Sequence, residues 1–331
     1  MLDMLLWFAV VLILFSIGDL VAKVTKAKLS SVFVTLMLFL VLFVAGVLPP
    51  DIIEKAGLSA AASWSVPILL FSMGSMLNLR QFIDEWRTVV TCWLGIVAVI
   101  IGVSCTIPFI GKDMALCAIP VINGALPATQ IMTQAATEAG LPLAAALAAI
   151  VFAVQKFVGT PIASNASLKY ARSLIADYRE GKVSKDVPET ARKTPEKQKK
   201  ATFAEKYDAY YSNNVCILLA VLGGLLAVKL GAITKINYAI LGLVLGVIFT
   251  QLGLLPQNLL KKAQTSGFIN MVVFAAIIPA LAKISVGDLI SLIVPLVVVF
   301  AVAIISIFIM MKILPAWKIL GDKSMAFGVG F

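Results

Sequence analysis

Hydrophobic residues in this chain come in long, nearly unbroken runs that short polar segments separate. Each run is close to the ~20 apolar residues that a helix needs to cross a bilayer. A transmembrane barrel would show ~10-residue alternating segments instead, and the sequence has none. We therefore predict an all-α polytopic membrane protein, with spans at about 2–22, 30–48, 60–77, 88–109, 141–163, 212–230, 236–253, 267–282 and 288–311.

Residues 114–139 form one more apolar stretch, which Asn123-Gly124 and Pro127 interrupt. Within a membrane, irregular backbone occurs only where protein buries it or where it lines a wet cavity. Proline suits the first turn of a new helix, where its missing N–H is not needed. We predict a helix over 114–122, a tip at 123–126 and a half-helix over 127–139, which together make a re-entrant helical hairpin.

Residues 166–210 are the one sizeable polar segment, with 11 Lys/Arg and 7 Asp/Glu. We predict that they form a basic loop between membrane half 1 (residues 1–165) and membrane half 2 (residues 211–331). The first part of the loop is also suited to a helix that continues the preceding span.

The net charge of +10 is explained by the orientation of the spans. If the N-terminus lies outside and each of the nine runs crosses once, 21 Lys/Arg fall inside and 5 outside. This bias agrees with the positive-inside rule and places loop 166–210 in the cytoplasm, so no nucleic-acid partner is needed. Two additional crossings by the broken stretch would leave the same bias.

Two pairs of segments indicate an internal repeat. "VLPPDIIEKAG" (47–57) resembles "LLPQNLLKKAQ" (254–264), and "GKDMAL" (111–116) resembles "GDKSMAF" (321–327). The predicted topology puts the members of a pair on opposite sides, and inverted-topology repeats are typical of secondary transporters. Since Phe331 matches a point about 45 residues before the end of the first copy, we expect a fragment: the second hairpin and the last span are missing, and half 2 is truncated.

The half-helix after Pro127 would point its N-terminus into the membrane, where free N–H groups attract an anion. Its polar residues recur at the spacing of one helix face. They suit either a water-filled pathway or hydrogen bonds between helices. The residues of this stripe are Gln130, Thr133, Gln134 and Thr137.

The following span carries Gln155, Lys156 and Thr160. An ionisable residue within a span is by default a functional candidate. Lys156 would neutralise a substrate carboxylate or take the place of a coupling cation. The alternative is that its side chain only extends to the nearby interface.

The residues that metal sites and membrane-embedded enzymes require are scarce. The chain has no histidine, and its four cysteines lie at irregular spacings within apolar runs, which favours small buried side chains. We therefore expect neither an enzyme nor a bound cofactor.

The basic central loop, "INGALPATQ" (122–130) and "GDKSMAFGVGF" (321–331) resemble the sodium/glutamate symporter family. More distantly, they resemble the 2-hydroxycarboxylate (citrate) symporters. The resemblance implies two re-entrant loops that form the Na⁺ and substrate sites, and a homodimer. It also implies that Asn123, Gly124, Thr129 and Gln130 are the contribution of the first loop.

The expected function is secondary active transport, with Na⁺-coupled symport of a small carboxylate such as glutamate. The expected location is the bacterial inner (plasma) membrane, with lipid and the organic anion as partners. Proton-coupled or exchange transport of another, citrate-like anion stays open, as does a channel. Proton coupling would need Asp19, Glu138 or Lys156, the titratable groups near the predicted spans.

Overall fold

The computed structural model of the chain describes residues 2–26, 28–179, 202–282 and 284–316. All regular structure in these residues is helical, which confirms the predicted all-α class. A 3₁₀ turn at Asp208–Tyr210 accompanies the α-helices. The α-helices are α1 Leu2–Val24, α2 Ser31–Val44, α3 Ile52–Lys55, α4 Leu58–Ser75, α5 Leu79–Asp84, α6 Trp86–Ser104, α7 Ile107–Ile110, α8 Lys112–Glu138, α9 Pro142–Arg179, α10 Phe203–Lys206, α11 Asn213–Thr234, α12 Tyr238–Gln251, α13 Leu259–Lys262, α14 Ser266–Ala275, α15 Pro279–Ala282 and α16 Val286–Ala316.

Seven of the described helices are long and apolar enough to cross a membrane, namely α1, α4, α6, α8, α9, α11 and α16. Three shorter apolar segments, α2, α12 and the pair α14–α15, occupy the other predicted spans. The chain is therefore a polytopic helical membrane protein. Helices α2 and α12 have 14 residues each, a length of about 21 Å at 1.5 Å per residue.

The helix bounds differ from the predicted spans in three places. Predicted span 88–109 divides into α6 and α7, and predicted span 267–282 divides into α14 and α15. Helix α9 continues to Arg179, so the first part of the predicted loop 166–210 is helical. The middle of that loop and the segment 321–331 lie outside the described residues.

The first of two compact units comprises Met1–Ala56, Glu85–Lys185 and Ile277–Phe331. In it α8 packs against α9 and α6, and α16 packs against α6 and α9. The start of α9 contains five alanines and Leu147 within 144–149, and all six are almost fully buried. Since small side chains allow close approach of helix backbones, these alanines bring α8 and α9 together.

The second unit comprises Gly57–Asp84 and Asp186–Ala276, with α4 packed against α11, α12 and α14. Gly74 and Gly246 allow α4 and α12 to touch through their backbones, because a Cβ on Gly74 would lie 2.9 Å from the Gly246 Cα. The contact makes α4 the most buried of the seven long apolar helices.

Two serines of α4 cap the short helix α13. The backbone N–H groups of Leu259 and Leu260 donate to the Ser75 and Ser72 hydroxyls, each at 3.2 Å. The first N–H groups of a helix have no partner within the helix, and the serines supply one. Buried serines in an apolar helix thus have a structural role in this unit.

The helix bounds recur at a fixed separation in the two halves of the sequence. Helices α2 and α12 have equal length, and so do α3 and α13. In both pairs the second member begins 207 positions after the first, which is also the separation of 47–57 from 254–264. The recurrence concerns helix positions along the sequence, and the inverted repeat stays a prediction.

Candidate functional site

Helix α8 is broken at Ala125, where φ is 49° and ψ is −134°. The break lies within the predicted tip, 123–126. Proline cannot donate a backbone hydrogen bond, so Pro127 leaves the Asn123 carbonyl without its usual i→i+4 donor. A positive φ in alanine stores about 1–3 kcal/mol of strain. The re-entrant path of the two α8 segments stays a prediction.

Positions 124 and 128 approach each other unusually closely beside the break. A Cβ on Gly124 would lie 2.6 Å from the Ala128 Cβ, whereas residues four apart in a regular helix have Cβ atoms about 5–6 Å apart. Glycine at 124 is therefore required by the geometry of the break.

A cavity of about 520 Å³ opens at this break, among α6, α8, α9 and α16. Its volume is within the ~300–1,000 Å³ usual for small-molecule sites. All four helices belong to the first compact unit. The residues that line the cavity are Cys92, Gly95, Ile96, Val99, Ile122, Asn123, Ala125, Gln155, Lys156, Val158, Gly159, Thr160, Ala163, Ser164, Phe300, Ala303, Ile304 and Ile307.

Lys156 carries the one formal charge among these lining residues, and no carboxylate accompanies it. Thr160 and Ser164 follow at intervals of four along α9, so the three side chains share a face. All three are exposed. The wall of the cavity that α9 supplies is therefore cationic and rich in hydroxyl groups, which suits a small anion.

Asn123 and Gln155 contribute amide groups to the cavity. The Asn123 Nδ2 donates to the Ile119 carbonyl at 2.8 Å, so the site is left with its Oδ1 as acceptor. The Gln155 Oε1 is buried without a donor among the described residues. A buried acceptor without a partner is unfavourable, and a bound cation, a ligand donor or water would satisfy it.

The other predicted site residues do not line the cavity. Thr129 is fully buried, and its hydroxyl donates to the Ala125 carbonyl at 2.7 Å. Thr133 is also buried, with its hydroxyl directed to the Gln130 carbonyl at 3.2 Å. Both hydroxyls therefore satisfy the backbone of α8 itself.

The predicted polar stripe is divided between interior and surface. Gln130 is 8% exposed, and its Oε1 has no donor among the described residues. Gln134 is exposed and donates from Nε2 to Glu138 Oε1 at 2.9 Å. Thr137 is exposed as well. The stripe thus has both buried and exposed members, and its role as a pathway or as hydrogen-bonding contact between helices stays a prediction.

Sequence reasoning missed the helices that complete the cavity. Phe300, Ala303 and Ile307 of α16 are apolar residues of an apolar run, and no sequence signal distinguishes them. Cys92 of α6 was expected to be buried, but it is exposed and lines the cavity. The same expectation is wrong for Cys105, while Cys117 and Cys216 are buried.

The described residues contain no group of three or more His, Cys, Asp or Glu side chains that could hold a metal ion. A cation in this cavity would therefore bind to amide, hydroxyl and carbonyl oxygens. Comparison of the chain with protein-family models, with curated proteins and with solved structures finds no match.

Proposed function

We propose that the protein is a secondary active transporter that carries a small carboxylate, such as glutamate, together with Na⁺. The proposal rests mainly on the cavity at the break in α8, whose wall has one lysine and several uncharged oxygen groups. Such a site between apolar helices suits a small charged solute better than it suits lipid.

Lys156 is the group proposed to receive the substrate carboxylate. An ammonium group attracts a carboxylate strongly where water is scarce, and no lining carboxylate competes for it. Thr160, one turn along α9 from Lys156, is proposed to donate a hydrogen bond to the same anion. In this role Lys156 selects anionic substrates.

The oxygens near the break are the groups proposed to bind Na⁺. They comprise the Asn123 Oδ1, the Gln155 Oε1 and the Asn123 carbonyl, which Pro127 deprives of its usual i→i+4 donor. Unwound carbonyls at broken helices are typical Na⁺ ligands in transporters. Carbonyl and amide oxygens are also suitable ligands for a hard cation.

Two further features support transport rather than passive binding. The 207-residue recurrence of helix bounds supports the proposal of an internal repeat, and inverted repeats are typical of alternating access. The resemblance to sodium/glutamate symporters favours the same function. We include in the proposal a homodimer in the bacterial inner membrane, with the N-terminus outside and loop 166–210 in the cytoplasm.

Exchange of organic anions is the second candidate, and Lys156 is the observation that favours it. A fixed lysine charge can balance the anion without a coupling cation. The carrier would then return only with another anion, such as a citrate-like acid. Proton coupling through Lys156 is a further form of this alternative. A channel is favoured less, because a broken helix beside a cavity of small-molecule size suits alternating access.

Protection of Cys92 from a thiol reagent tests the proposed site. In the variant Cys105→Ser, Cys92 is the one exposed thiol of the described residues, so maleimide labelling of the purified protein reports on the cavity. We expect glutamate or a related carboxylate to slow labelling, more strongly with Na⁺ than with K⁺. The variant Cys92→Ser, which keeps Cys105, is the matched control and should show no such protection.

The same experiment separates the alternatives. If citrate or another carboxylate slowed the labelling of Cys92 equally with and without Na⁺, the result would favour exchange. Labelling of Cys92 at one rate with every carboxylate and either cation would contradict a substrate site in this cavity.

A further inference from the structure

A second cavity, of about 470 Å³, lies in the second compact unit, next to the start of α11. Aromatic rings form most of its wall, and the Phe203 and Tyr207 ring centroids lie 4.7 Å apart. We call it the aromatic cavity. The residues that line it are Phe203, Tyr207, Tyr210, Tyr211, Val215 and Leu219.

Hydrogen bonds and an ion pair hold the segment 203–211, which contains these rings, against the end of α12 and against α13. The Ala204 N–H donates to the Gly253 carbonyl at 2.7 Å, and the Tyr211 hydroxyl donates to the Leu254 carbonyl at 2.6 Å. Lys262 forms an ion pair with Asp208 of the same segment. The aromatic cavity is therefore preformed by backbone and side-chain contacts.

Burial raises the pKa of the Tyr211 phenol, with a smaller contribution from Cys216. The phenol therefore stays protonated at physiological pH and keeps its donor role.

The aromatic cavity extends from the end of a predicted span into it. Val215 and Leu219 are four residues apart on the first turns of α11, so they share a face, and Tyr211 lies just before the helix. Helix α11 is a candidate membrane span. Tyrosines at the end of a span lie at the level of the lipid headgroups, which places the mouth of the cavity there and its apolar floor beside the acyl chains.

Lys206 lies beside one of the rings that line the aromatic cavity. The Lys206 Nζ is 5.6 Å from the centroid of the Tyr207 ring, and no carboxylate pairs with it among the described residues. Phe203 and Tyr210 are 55% and 75% exposed, unusually high values for large aromatic residues fixed in place. The cavity thus combines an apolar floor, an aromatic mouth and a lysine that no carboxylate pairs with among the described residues. This combination suits an amphipathic molecule with an anionic group.

We propose that the aromatic cavity is a binding site for a phospholipid, with an acyl chain along Tyr211, Val215 and Leu219 and an anionic headgroup near Lys206. The membrane around α11 supplies this molecule at high concentration, whereas a peptide or a second copy would leave the lower, span-facing part of the cavity unfilled. The site is separate from the proposed transport cavity and does not depend on its function.

Native mass spectrometry of the full chain, purified in detergent and titrated with phosphatidylglycerol or phosphatidylcholine, tests the acyl-chain part. The variant Leu219→Trp fills the floor, and Leu218→Trp, which changes the neighbouring exposed residue of α11, is the matched control. We expect Leu219→Trp to lose one tightly bound lipid and Leu218→Trp to keep it. Equal lipid binding by both variants would overturn the proposal.

The variant Lys206→Gln tests the headgroup part and changes an exposed side chain, so the fold should persist even if Leu219→Trp misfolds. Loss of one lysine near a headgroup should reduce the preference for phosphatidylglycerol over phosphatidylcholine about fivefold. An unchanged preference would overturn the role of Lys206. A bound lipid count that rises in proportion to lipid, without saturation, would overturn the site altogether.

Discussion

At the scale of single residues, the break in α8 depends on two small neighbours. Ala125 adopts a backbone conformation that alanine rarely tolerates, and Gly124 lies against Ala128. Helices α6 and α9 both pack against α8, and such surrounding structure can hold a strained backbone in place. Strained backbone often accompanies binding sites, and here it adjoins the cavity.

Gly124→Ala should destabilise the protein, although alanine is the better helix former by about 1 kcal/mol. The added methyl would overlap the Ala128 Cβ, and overpacking typically costs about 1–3 kcal/mol. We expect a lower thermal unfolding midpoint in detergent. The double variant Gly124→Ala/Ala128→Gly removes the overlap and should recover most of the loss. If Ala128→Gly did not restore the unfolding midpoint, the close approach of positions 124 and 128 would not be the cause of the destabilisation.

Lys156 is the residue on which anion binding depends in the proposed function. Lys156→Met removes a charged hydrogen-bond donor worth about 1.5–3 kcal/mol, so we expect carboxylate binding to weaken about 10- to 100-fold. Lys156→Arg keeps the charge and should lose less. Isothermal titration of each variant with glutamate or citrate measures the effect.

Lys112→Met is the control for the Lys156 variants, because Lys112 is an exposed lysine at the start of α8 and does not line the cavity. If Lys156→Met binds as tightly as Lys112→Met, Lys156 only extends to the interface and does not contact the anion.

At the scale of helices, close backbone contact through glycine organises the second unit. A Cβ on Gly246 would lie 2.2 Å from the Phe71 carbonyl oxygen, and one on Gly74 would lie 2.2 Å from the Leu243 carbonyl oxygen. Backbone atoms cannot move aside as a flexible side chain can. The α4–α12 contact therefore requires glycine on both helices.

Gly246→Ala should lower the thermal unfolding midpoint by several degrees, because α12 must move away from α4. Gly267→Ala in α14 adds the same methyl where nothing lies within 4 Å, so it should be neutral or slightly stabilising. Differential scanning fluorimetry of the two variants side by side measures the difference. Equal midpoints would contradict the backbone contact.

The sequence predicts the helices better than it predicts the site. A span is a local property, since its length and composition suffice to place it. Asn123-Gly124 and Pro127 predict a break within 123–126, whereas the positive φ of Ala125 does not follow from local turn chemistry. The cavity also needs α6 and α16, and the exposure of Cys92 depends on how those helices pack. The stripe from Gln130 onward has helical spacing, but spacing alone does not determine which of its residues are buried.

At the scale of the whole molecule, the recurrence at 207 residues links the two halves of the sequence. Matching helices α2 and α12, and α3 and α13, have equal lengths at equal separations. An inverted repeat gives a transporter two related conformations, open to either side. The proposed function therefore requires the halves to cross the membrane in opposite directions.

Single cysteines at matched positions test this orientation. In a background with the four native cysteines replaced by serine, Asp51→Cys and Asn258→Cys mark the residues that precede α3 and α13. We expect an impermeant maleimide to label Cys at 51 from outside cells and Cys at 258 only in inside-out vesicles. Labelling of both from the same side would exclude an inverted repeat.

Uptake into proteoliposomes tests the central claim most directly. Radiolabelled glutamate, or citrate in a parallel series, is offered to vesicles that contain the protein, with an inward Na⁺ gradient or with K⁺ in its place. We predict saturable accumulation above the equilibrium level that requires the Na⁺ gradient and is lost in Lys156→Met. Accumulation that needs no Na⁺ but requires an anion inside the vesicles would indicate exchange. If the anion only equilibrated across the membrane, whichever cation was present, secondary active transport would be contradicted.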